Sequence, residues 1–480
     1  MIQAAYAHRA REDAMPEATA PNRTLLYKWI ANLIIPIAAY LLLVQYSSLT
    51  PPMVAFLAVT LWAVCAWAME TLNDIAVGIL LPGLYILFCE GVNIGVVYAP
   101  WRSEIWIISV GGFILGKIIQ ETGLGKRIAM GSVRAMGGSF SGALLGLTIG
   151  AIILSPLVPS IMGKAAILCG VAISLCDAMN FKPKGREATA IMLGACIAVG
   201  STKLAWLTGA GDLVMGMGLV DKAMNIQTSW MEYAKYNFVP AMLYTFLSMS
   251  IVLVLLRSSV SRETISATVQ QTYNELGPMS AEQKRAMFLL LVTVVLLSTD
   301  KLHGISAGVV LMIITALAFA PGMALMDAGR LSRVNFAPIF FIMGCMAIGS
   351  TGGFLKVTQW MAGLVLPLFS DTGVMLASLC SYATGVGVNF LLTPLAATST
   401  LTAPITELGM RMGLDPRILY FSFQYGLDNL IFPYEYALYL YFFSSGYINF
   451  REMALVMAVR MLLAGLFVAC IAMPYWRLVL

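Results

Sequence analysis

The segment GSTKLAWLTGAGD, residues 200–212, interrupts a long apolar stretch with glycines, hydroxyl groups and two charges. A second interruption, FPYEY at residues 432–436, lies in the corresponding place near the end of the chain. Each follows an apolar region that is itself divided by prolines, within 142–176 and within 373–404. Discontinuous helices at matching places in two halves of a membrane protein are the sequence feature that best indicates a transporter's substrate site. The order therefore predicts two repeats, whose interruptions are named the first break and the second break.

The composition is that of a membrane protein with many spans. Of 480 residues, 59% are hydrophobic and 11% are charged, and the mean hydropathy is +0.84. Soluble domains carry roughly 25% charged residues. Apolar runs close to the ~20 residues that cross the hydrocarbon recur along the whole sequence. We therefore expect an all-α polytopic membrane protein and exclude a soluble one.

We expect about eleven transmembrane helices and two re-entrant hairpins. The predicted spans are 29–46, 53–69, 75–92, 105–120, 188–218, 238–256, 286–300, 304–321, 335–352, 417–445 and 453–476. The hairpins occupy 139–176 and 361–404, and their non-helical tips are SPLVPS (155–160, the first tip) and NFLLTP (389–394, the second tip). Proline breaks a helix and leaves backbone groups free. At membrane depth such breaks persist only where they are buried in protein or line a cavity.

The basic residues predict the orientation. Of 29 lysines and arginines, three lie at membrane depth, eight on one side, and the rest on the side of the N-terminus. The eight are Arg102, Lys222, Lys235, Lys301, Lys356, Arg411, Arg417 and Arg477. By the positive-inside rule the N-terminus is cytoplasmic, so the hairpins enter from opposite sides and the repeats are inverted. Hairpins made of two full spans fit the same charge count, but the proline-broken tips favour re-entrant ones.

Charged residues at membrane depth indicate a cavity or a buried partner, because a charge at the bilayer centre costs roughly 2.5–3.5 kcal/mol even on insertion scales. The cations are Lys164, Lys203 and Arg460, and the acids are Asp74, Asp212, Asp428 and Glu435. Each has a structural and a functional interpretation.

Lys203 and Asp212 flank the first break, where they either form a local ion pair or face the substrate. Lys164 follows the first tip, and either reaches that tip or neutralises an acid. Glu435 is either the partner of one of these lysines or a site for a proton or cation. Arg460 either pairs with an acid or extends to the interface.

Four segments then carry a family resemblance. The first is 67–82, which contains WAMETL and ILLP, and the second is 105–129, which contains IW, GGFIL and ETGLGKRIA. The third is NIQTSWM (225–231) and the fourth is GYINFREM (446–453). In order and spacing they resemble segments of the divalent anion/sodium symporter family, which includes dicarboxylate, citrate and sulfate carriers. The resemblance covers most of the chain from about residue 55 onward.

The resemblance implies an inverted-repeat fold of the elevator type and a homodimer. Residues 25–136 and 284–358 would form the scaffold and dimer interface, and residues 137–256 and 359–480 the mobile transport domain. The polar, mixed-charge residues 1–24 are expected to be a disordered tail. The implied substrate is a small organic di- or tricarboxylate, with sulfate-like oxyanions next.

The chain departs from the family where sodium and substrate carboxylates are held. The family carries Ser-Asn-Thr at each tip and Thr-Pro-Pro or Ser-Pro-Pro in each break. Here the tips read PSI (159–161) and VNF (388–390), and the breaks read TGA (208–210) and FPY (432–434). Neither Ser-Asn-Thr motif is whole, which argues against sodium coupling.

A fixed ammonium can stand where a bound sodium would otherwise neutralise an anion, and Lys164 and Lys203 are placed for that role. A half-helix N-terminus after each break adds partial positive charge. We predict a substrate and ion site made of Ser155, Pro159, Ser160, Lys164, Ser201, Thr202, Lys203, Thr208, Gly209, Asp212, Asn389, Thr393, Pro394, Pro433, Tyr434 and Glu435. A permanent cation favours anion exchange, or proton coupling through Glu435 or Asp212. The alternative is a sodium-coupled sulfate or oxyanion symporter.

Other functions find less support in the sequence. GAGD (209–212) matches the Gly-x-Gly-Asp pattern of intramembrane aspartyl proteases, for which Asp428 is the tempting second aspartate. A channel or a non-transporting receptor on the same scaffold is a further alternative. Two histidines and eight scattered cysteines predict neither a metal site nor disulfides. We expect no enzymatic activity, no cofactor beyond a coupling sodium ion or proton, no nucleic-acid partner, and a multi-pass location in the inner or plasma membrane.

Overall fold

The computed structural model describes residues 23–69, 71–137, 139–158, 160–257, 262–365, 373–390 and 392–480, and these are helical or irregular without a strand. The expected disordered tail therefore lies outside the described residues, apart from its last two positions. The helices of the first half are α1 (Arg23–Tyr46), α2 (Pro51–Met69), α3 (Asp74–Phe88), α4 (Ile105–Glu121), α5 (Leu124–Ala135), α6 (Phe140–Leu154), α7 (Ile161–Ala178), α8 (Arg186–Lys203), α9 (Gly211–Met224) and α10 (Trp230–Leu255).

The second half repeats this order after a linker helix, α11 (Arg262–Asn274). Its helices are α12 (Ala281–Ser298), α13 (Ala307–Phe319), α14 (Ala337–Phe354), α15 (Val357–Val365), α16 (Val374–Asn389), α17 (Pro394–Arg411), α18 (Pro416–Leu427), α19 (Ala437–Ser444) and α20 (Phe450–Phe467), the last continued to Val479 through a π-helical turn. In both halves a hairpin (α6 and α7, α16 and α17) precedes a broken helix (α8 and α9, α18 and α19). The two repeats expected from the sequence are present in that order.

Hydroxyl side chains at the tips start the second helix of each hairpin. The Ser160 hydroxyl accepts a hydrogen bond from the Gly163 N–H at 3.1 Å, and the Thr393 hydroxyl accepts one from the Ala396 N–H at 3.4 Å. Such N-caps satisfy backbone donors that a helix start leaves free. The first helices, α6 and α16, have 15 and 16 residues. At 1.5 Å per residue they rise about 22 and 24 Å, less than the ~30 Å hydrocarbon core, which favours re-entrant hairpins.

The spans differ from the predicted ones in length and boundaries. Within the described residues, five helices can cross a membrane by length and composition, or six if α4 and α5, bent by 67°, count as one span. Five more apolar helices there have 10–17 residues. The span predicted at 238–256 begins at Trp230, because Ser229 and Glu232 form a capping box there. The second hairpin was predicted to begin at 361, but 357–365 is the separate helix α15.

Helix α8 forms the centre of the fold, and α1 lies at its edge. Residues 188–203 of α8 are all buried, whereas only 11% of the apolar stretch of α1 is buried. Close approaches of backbone fix the packing around this centre. A Cβ on Gly209 would lie 2.0 Å from the Lys203 carbonyl oxygen, so only glycine fits where the first break folds back on the end of α8. The polar residues of the breaks are thereby held inside protein.

Candidate functional site

The first broken helix is interrupted where the sequence predicts, and the second is interrupted earlier. Helix α8 ends at Lys203 and α9 begins at Gly211, within the predicted first break. Helix α18 ends at Leu427 and α19 begins at Ala437, so the second interruption starts at Asp428, four residues before the predicted position. The earlier ending is stabilised because side chains from elsewhere bind the carbonyl groups of Leu427 and Asp428.

Each tip contacts the carbonyl end of its broken helix. The Ser155 hydroxyl of the first tip donates to the Thr202 carbonyl oxygen at 3.0 Å. The Asn389 side-chain amide of the second tip donates to the Leu427 carbonyl oxygen at 3.0 Å. The last carbonyl groups of a helix have no partner within that helix. Tip and break therefore stabilise each other in both repeats.

Lys164 joins the first tip to the first break. Its side chain is fully buried, and the ammonium donates to the Gly209 carbonyl oxygen at 2.5 Å and to the Ser155 hydroxyl at 3.3 Å. Among the described residues no carboxylate lies within ion-pair distance of it. Of the two alternatives for Lys164, it reaches the tip and does not neutralise an acid.

Lys203 and Asp212 close the local ion pair that their positions allowed. The Lys203 ammonium lies 2.6 Å from an Asp212 carboxylate oxygen, and both side chains are buried. The ammonium also faces the Tyr436 ring of the second repeat, 5.2 Å from its centroid. The pair thus spans the first break and touches the residue that ends the second one.

Glu435 does not pair with a lysine in the described structure. Its carboxylate accepts a hydrogen bond from the Phe432 N–H at 2.9 Å and lies 3.4 Å from the Ile431 N–H. The expectation that it pairs with a lysine is wrong, because Lys203 is bound to Asp212 and Lys164 to the first tip. Glu435 instead accepts hydrogen bonds from backbone N–H groups of the second break, just before the short helical turn Pro433–Glu435.

Arg460 pairs with Asp428 inside the second repeat. Its guanidinium donates to the Asp428 carboxylate, to the Asp428 carbonyl oxygen at 2.8 Å and to the Ser248 hydroxyl at 3.0 Å. The Tyr244 hydroxyl donates to the same carboxylate at 3.2 Å. An aspartyl protease needs two aspartates that activate one water. Asp428 is bound to Arg460 and Asp212 to Lys203, so this geometry gives the protease alternative no support.

One cavity of about 430 Å³, here called the site cavity, joins both repeats. The first tip and break contribute Ser160, residues 161–163 and residues 210–212, and the second repeat contributes Leu395 and Tyr436. The opposite wall consists of Phe113, Gly116, Lys117, Gln120, Arg333, Val334, Asn335, Pro338 and Ile342. Its volume is within the ~300–1,000 Å³ typical of small-molecule sites.

A second cavity, of about 640 Å³ and here called the far cavity, lies at the other end of α4. It is lined by Ile105 and Ile108 of α4, by Leu207 of the first break and by the cations Arg102, Lys222 and Lys301. It is larger, but no described residue of either tip lines it. The site cavity is therefore the better candidate, because the first tip and both breaks meet there beside Leu395, the residue after the second tip.

Several predicted site residues do not line the site cavity. The hydroxyls of Ser201 and Thr202 donate to carbonyls of their own helix, at 2.7 Å each. Both hydroxyls donate within α8, because a hydroxyl inside a helix readily bonds the carbonyl four residues back. The other described members that lie outside its lining are Ser155, Lys164, Lys203, Thr208, Gly209, Asn389, Thr393, Pro394, Pro433 and Glu435.

Some of these residues form the layer directly behind the cavity wall. Lys203 is bonded to the lining residue Asp212, and Lys164 follows the lining residues 161–163. The Thr208 hydroxyl accepts from the Trp230 indole N–H at 3.0 Å. Pro159 and the side chains of Tyr434 and Asp74 lie outside the described residues.

Sequence reasoning missed the wall opposite the tips and the ring of Tyr436. Tyr436 was inside the quoted second break, but no pattern indicated that its ring would face Lys203. Lys117 and Arg333 were counted only as cytoplasmic charges. Their common cavity brings together the end of α4 and the segment before α14, which are far apart in sequence.

Two repeats, each a hairpin followed by a broken helix, with the first tip and both breaks meeting at one cavity inside an apolar helical protein, define a membrane transporter. A family model described as the sodium:sulfate symporter transmembrane region matches residues 23–480, and the chain belongs to this family. The resemblance inferred from the sequence is confirmed, and the protein is a multi-pass membrane transporter and not an enzyme.

Relatives and a solved structure agree with this assignment. A "Membrane protein" of Cupriavidus necator is 23% identical over 96% of this chain and 94% of its own length. The "Sodium-dependent dicarboxylate transporter SdcS" of Staphylococcus saprophyticus is 25% identical over 52% of this chain and 50% of its own. "Dicarboxylate transporter 2.1, chloroplastic" of Arabidopsis thaliana is 24% identical over 56% and 49%. The crystal structure of the Alcanivorax borkumensis YdaH transporter has a TM-score of 0.58 at 16% identity, covering 89% of this chain and 98% of that one, and so shares the fold.

Proposed function

We propose that this transporter exchanges small organic di- or tricarboxylates across the cell membrane without sodium. The single observation that carries the proposal is Lys164, whose ammonium lies between the Ser155 hydroxyl of the first tip and the Gly209 carbonyl of the first break. Hydroxyl and carbonyl oxygens are the ligands that hard cations take in proteins. Here the covalently fixed Lys164 side chain uses them, and in its protonated form it brings positive charge to the site without a metal ion.

Anion exchange follows from the fixed position of this charge. Lys164 lacks a carboxylate within ion-pair distance among the described residues, and burying an unpaired charge is costly. An anion in the adjacent site cavity supplies the compensating charge. The binding site therefore changes sides of the membrane more readily with an anion than without one. Each movement with one anion is followed by a return with another. The alternative of proton coupling has less support, because Asp212 is held by Lys203 and Glu435 by backbone N–H groups.

The substrate class follows from the cavity wall. Helix α7 begins at Ile161 and α9 at Gly211, so two helix N-termini open on the site cavity. Ala210, which precedes α9, offers no side chain to cap it, so the first N–H groups of α9 are free of a side-chain acceptor. Helix N-termini attract carboxylates and phosphates. The names of two relatives as dicarboxylate transporters support carboxylates over sulfate.

The movement we propose is that of an elevator. Residues 137–256 and 359–480 would move as the transport domain against a scaffold of residues 25–136 and 284–358, in a homodimer with cytoplasmic N-termini. The site cavity supports this division, because the first tip, both breaks and Leu395 line one part of it and residues that precede the hairpin of each repeat line the rest. The far cavity at the opposite end of α4 is the space into which the site would move.

Counterflow in proteoliposomes tests this function. We expect labelled succinate to enter liposomes that are preloaded with succinate and not empty ones, equally well in sodium and in potassium buffer. Lys164→Met should abolish exchange, whereas Lys182→Met, which removes an exposed lysine of the loop after α7, should not. Uptake that requires an inward sodium gradient and persists in Lys164→Met would contradict the proposal and favour sodium symport. Uptake into empty liposomes driven by a proton gradient would replace exchange with proton coupling.

A further inference from the structure

The wall of the site cavity opposite the tips carries two cations that the proposed function has not used. Lys117 extends from the last turns of α4, and Arg333 lies in the segment before α14. Both line the same cavity as Ser160 and Asp212, together with the neutral polar side chains of Gln120 and Asn335. The cavity therefore has polar groups on both walls.

The two cations that line the cavity share one carboxylate. The Lys117 ammonium lies 3.4 Å and the Arg333 guanidinium 3.6 Å from the same Glu121 carboxylate oxygen. The other Glu121 oxygen lies 3.8 Å from Arg330, which is bound more closely by Glu282 at 2.5 Å. One carboxylate thus serves two cavity-lining cations, and half-exposed ion pairs of this kind are weak. Lys117 and Arg333 can turn toward an anion in the cavity at low cost.

We infer that Lys117 and Arg333 bind the second carboxylate of a dicarboxylate whose first carboxylate lies at the N-termini of α7 and α9. This inference rests on the proposed function, because it assumes that a carboxylate is bound at the tips. A dicarboxylate carries a second negative group for these cations, whereas a monocarboxylate carries none. The two cations thereby select substrates with two separated negative groups.

Equilibrium binding to the purified protein in detergent tests this pair, since it does not depend on the orientation of the protein in a vesicle. Labelled succinate would be displaced by unlabelled succinate and by monomethyl succinate, which keeps the carbon chain and one carboxylate. In the double variant Lys117→Gln/Arg333→Gln we expect the affinity for succinate to fall about tenfold or more, as for the loss of charged hydrogen bonds. The affinity for monomethyl succinate should change less than about twofold, below the effect of one hydrogen bond.

Arg330→Gln is the matched control, because Arg330 belongs to the same charge cluster without lining the cavity. It should leave both affinities unchanged. If the double variant weakens both ligands equally, or if Arg330→Gln has the same effect, the two cations only maintain the structure and the inference is wrong. If the wild-type protein binds monomethyl succinate as tightly as succinate, the inference is wrong although carboxylate transport stands. If the wild-type protein binds neither and exchanges no carboxylate, the proposed function itself fails, and the inference fails with it.

Discussion

The two breaks are built alike and charged differently. At each one a basic side chain donates to a free carbonyl group, Lys164 to Gly209 and Arg460 to Asp428. Arg460 also finds its counter-charge in the Asp428 carboxylate, whereas Lys164 finds only a hydroxyl. The basic side chain at the second break thus has a carboxylate partner, whereas Lys164 at the first break has none among the described residues.

The largest expected effect is on folding and comes from the second repeat. Arg460→Met leaves the Asp428 carboxylate buried without its cation, which should lower the free energy of unfolding by about 3–5 kcal/mol. Lys203→Met likewise leaves the Asp212 carboxylate without its cation. Asp212 lines the site cavity, where water can reach it, so the loss of unfolding free energy should be smaller. Unfolding of the purified variants in detergent measures both.

The double variant Arg460→Met/Asp428→Leu is the control for this prediction, because it removes the stranded carboxylate together with its partner. It should recover much of the lost stability, since an apolar pair of similar volume often replaces a buried ion pair without loss. If Arg460→Met is as stable as the wild type, or if Lys203→Met is the less stable of the two variants, the claim that the two breaks differ in charge is wrong.

The next effect is on ligand binding and comes from the first repeat. A ligand that binds only the folded state at 100 times its Kd stabilises that state by about 2.7 kcal/mol. Saturating succinate should therefore raise the Tm of the wild type but not that of Lys164→Met. Lys222→Met, which removes a cation of the far cavity, should keep the shift. A shift that survives in Lys164→Met and disappears in Lys222→Met would move the binding site to the far cavity.

What the sequence could predict was set by local features. Prolines, glycines and charges inside apolar runs predicted the hairpins and the breaks and allowed the pair of Lys203 and Asp212 as one of two alternatives, because these residues act on the chain next to them. The pair of Arg460 and Asp428 joins positions 32 residues apart, and several distant residues could have supplied the partner. Glu435 accepts a hydrogen bond from the Phe432 N–H, and the Ser201 hydroxyl donates to a carbonyl group of its own helix. Both hydrogen bonds depend on backbone geometry at the end of a helix. No sequence pattern specifies that geometry.

The smallest effects should separate the two tips. Asn389→Ala and Ser155→Ala each remove one hydrogen bond to the end of a broken helix, which should cost about 0.5–1.5 kcal/mol of unfolding free energy. The Ser155 hydroxyl also accepts a hydrogen bond from the Lys164 ammonium, whereas Asn389 contacts no cation in the described structure. Ser155→Ala should therefore weaken succinate binding severalfold in a titration of the purified protein, and Asn389→Ala should leave it unchanged. Equal losses of affinity in the two variants would mean that both tips hold the substrate charge, and that the asymmetry between the repeats does not extend to binding.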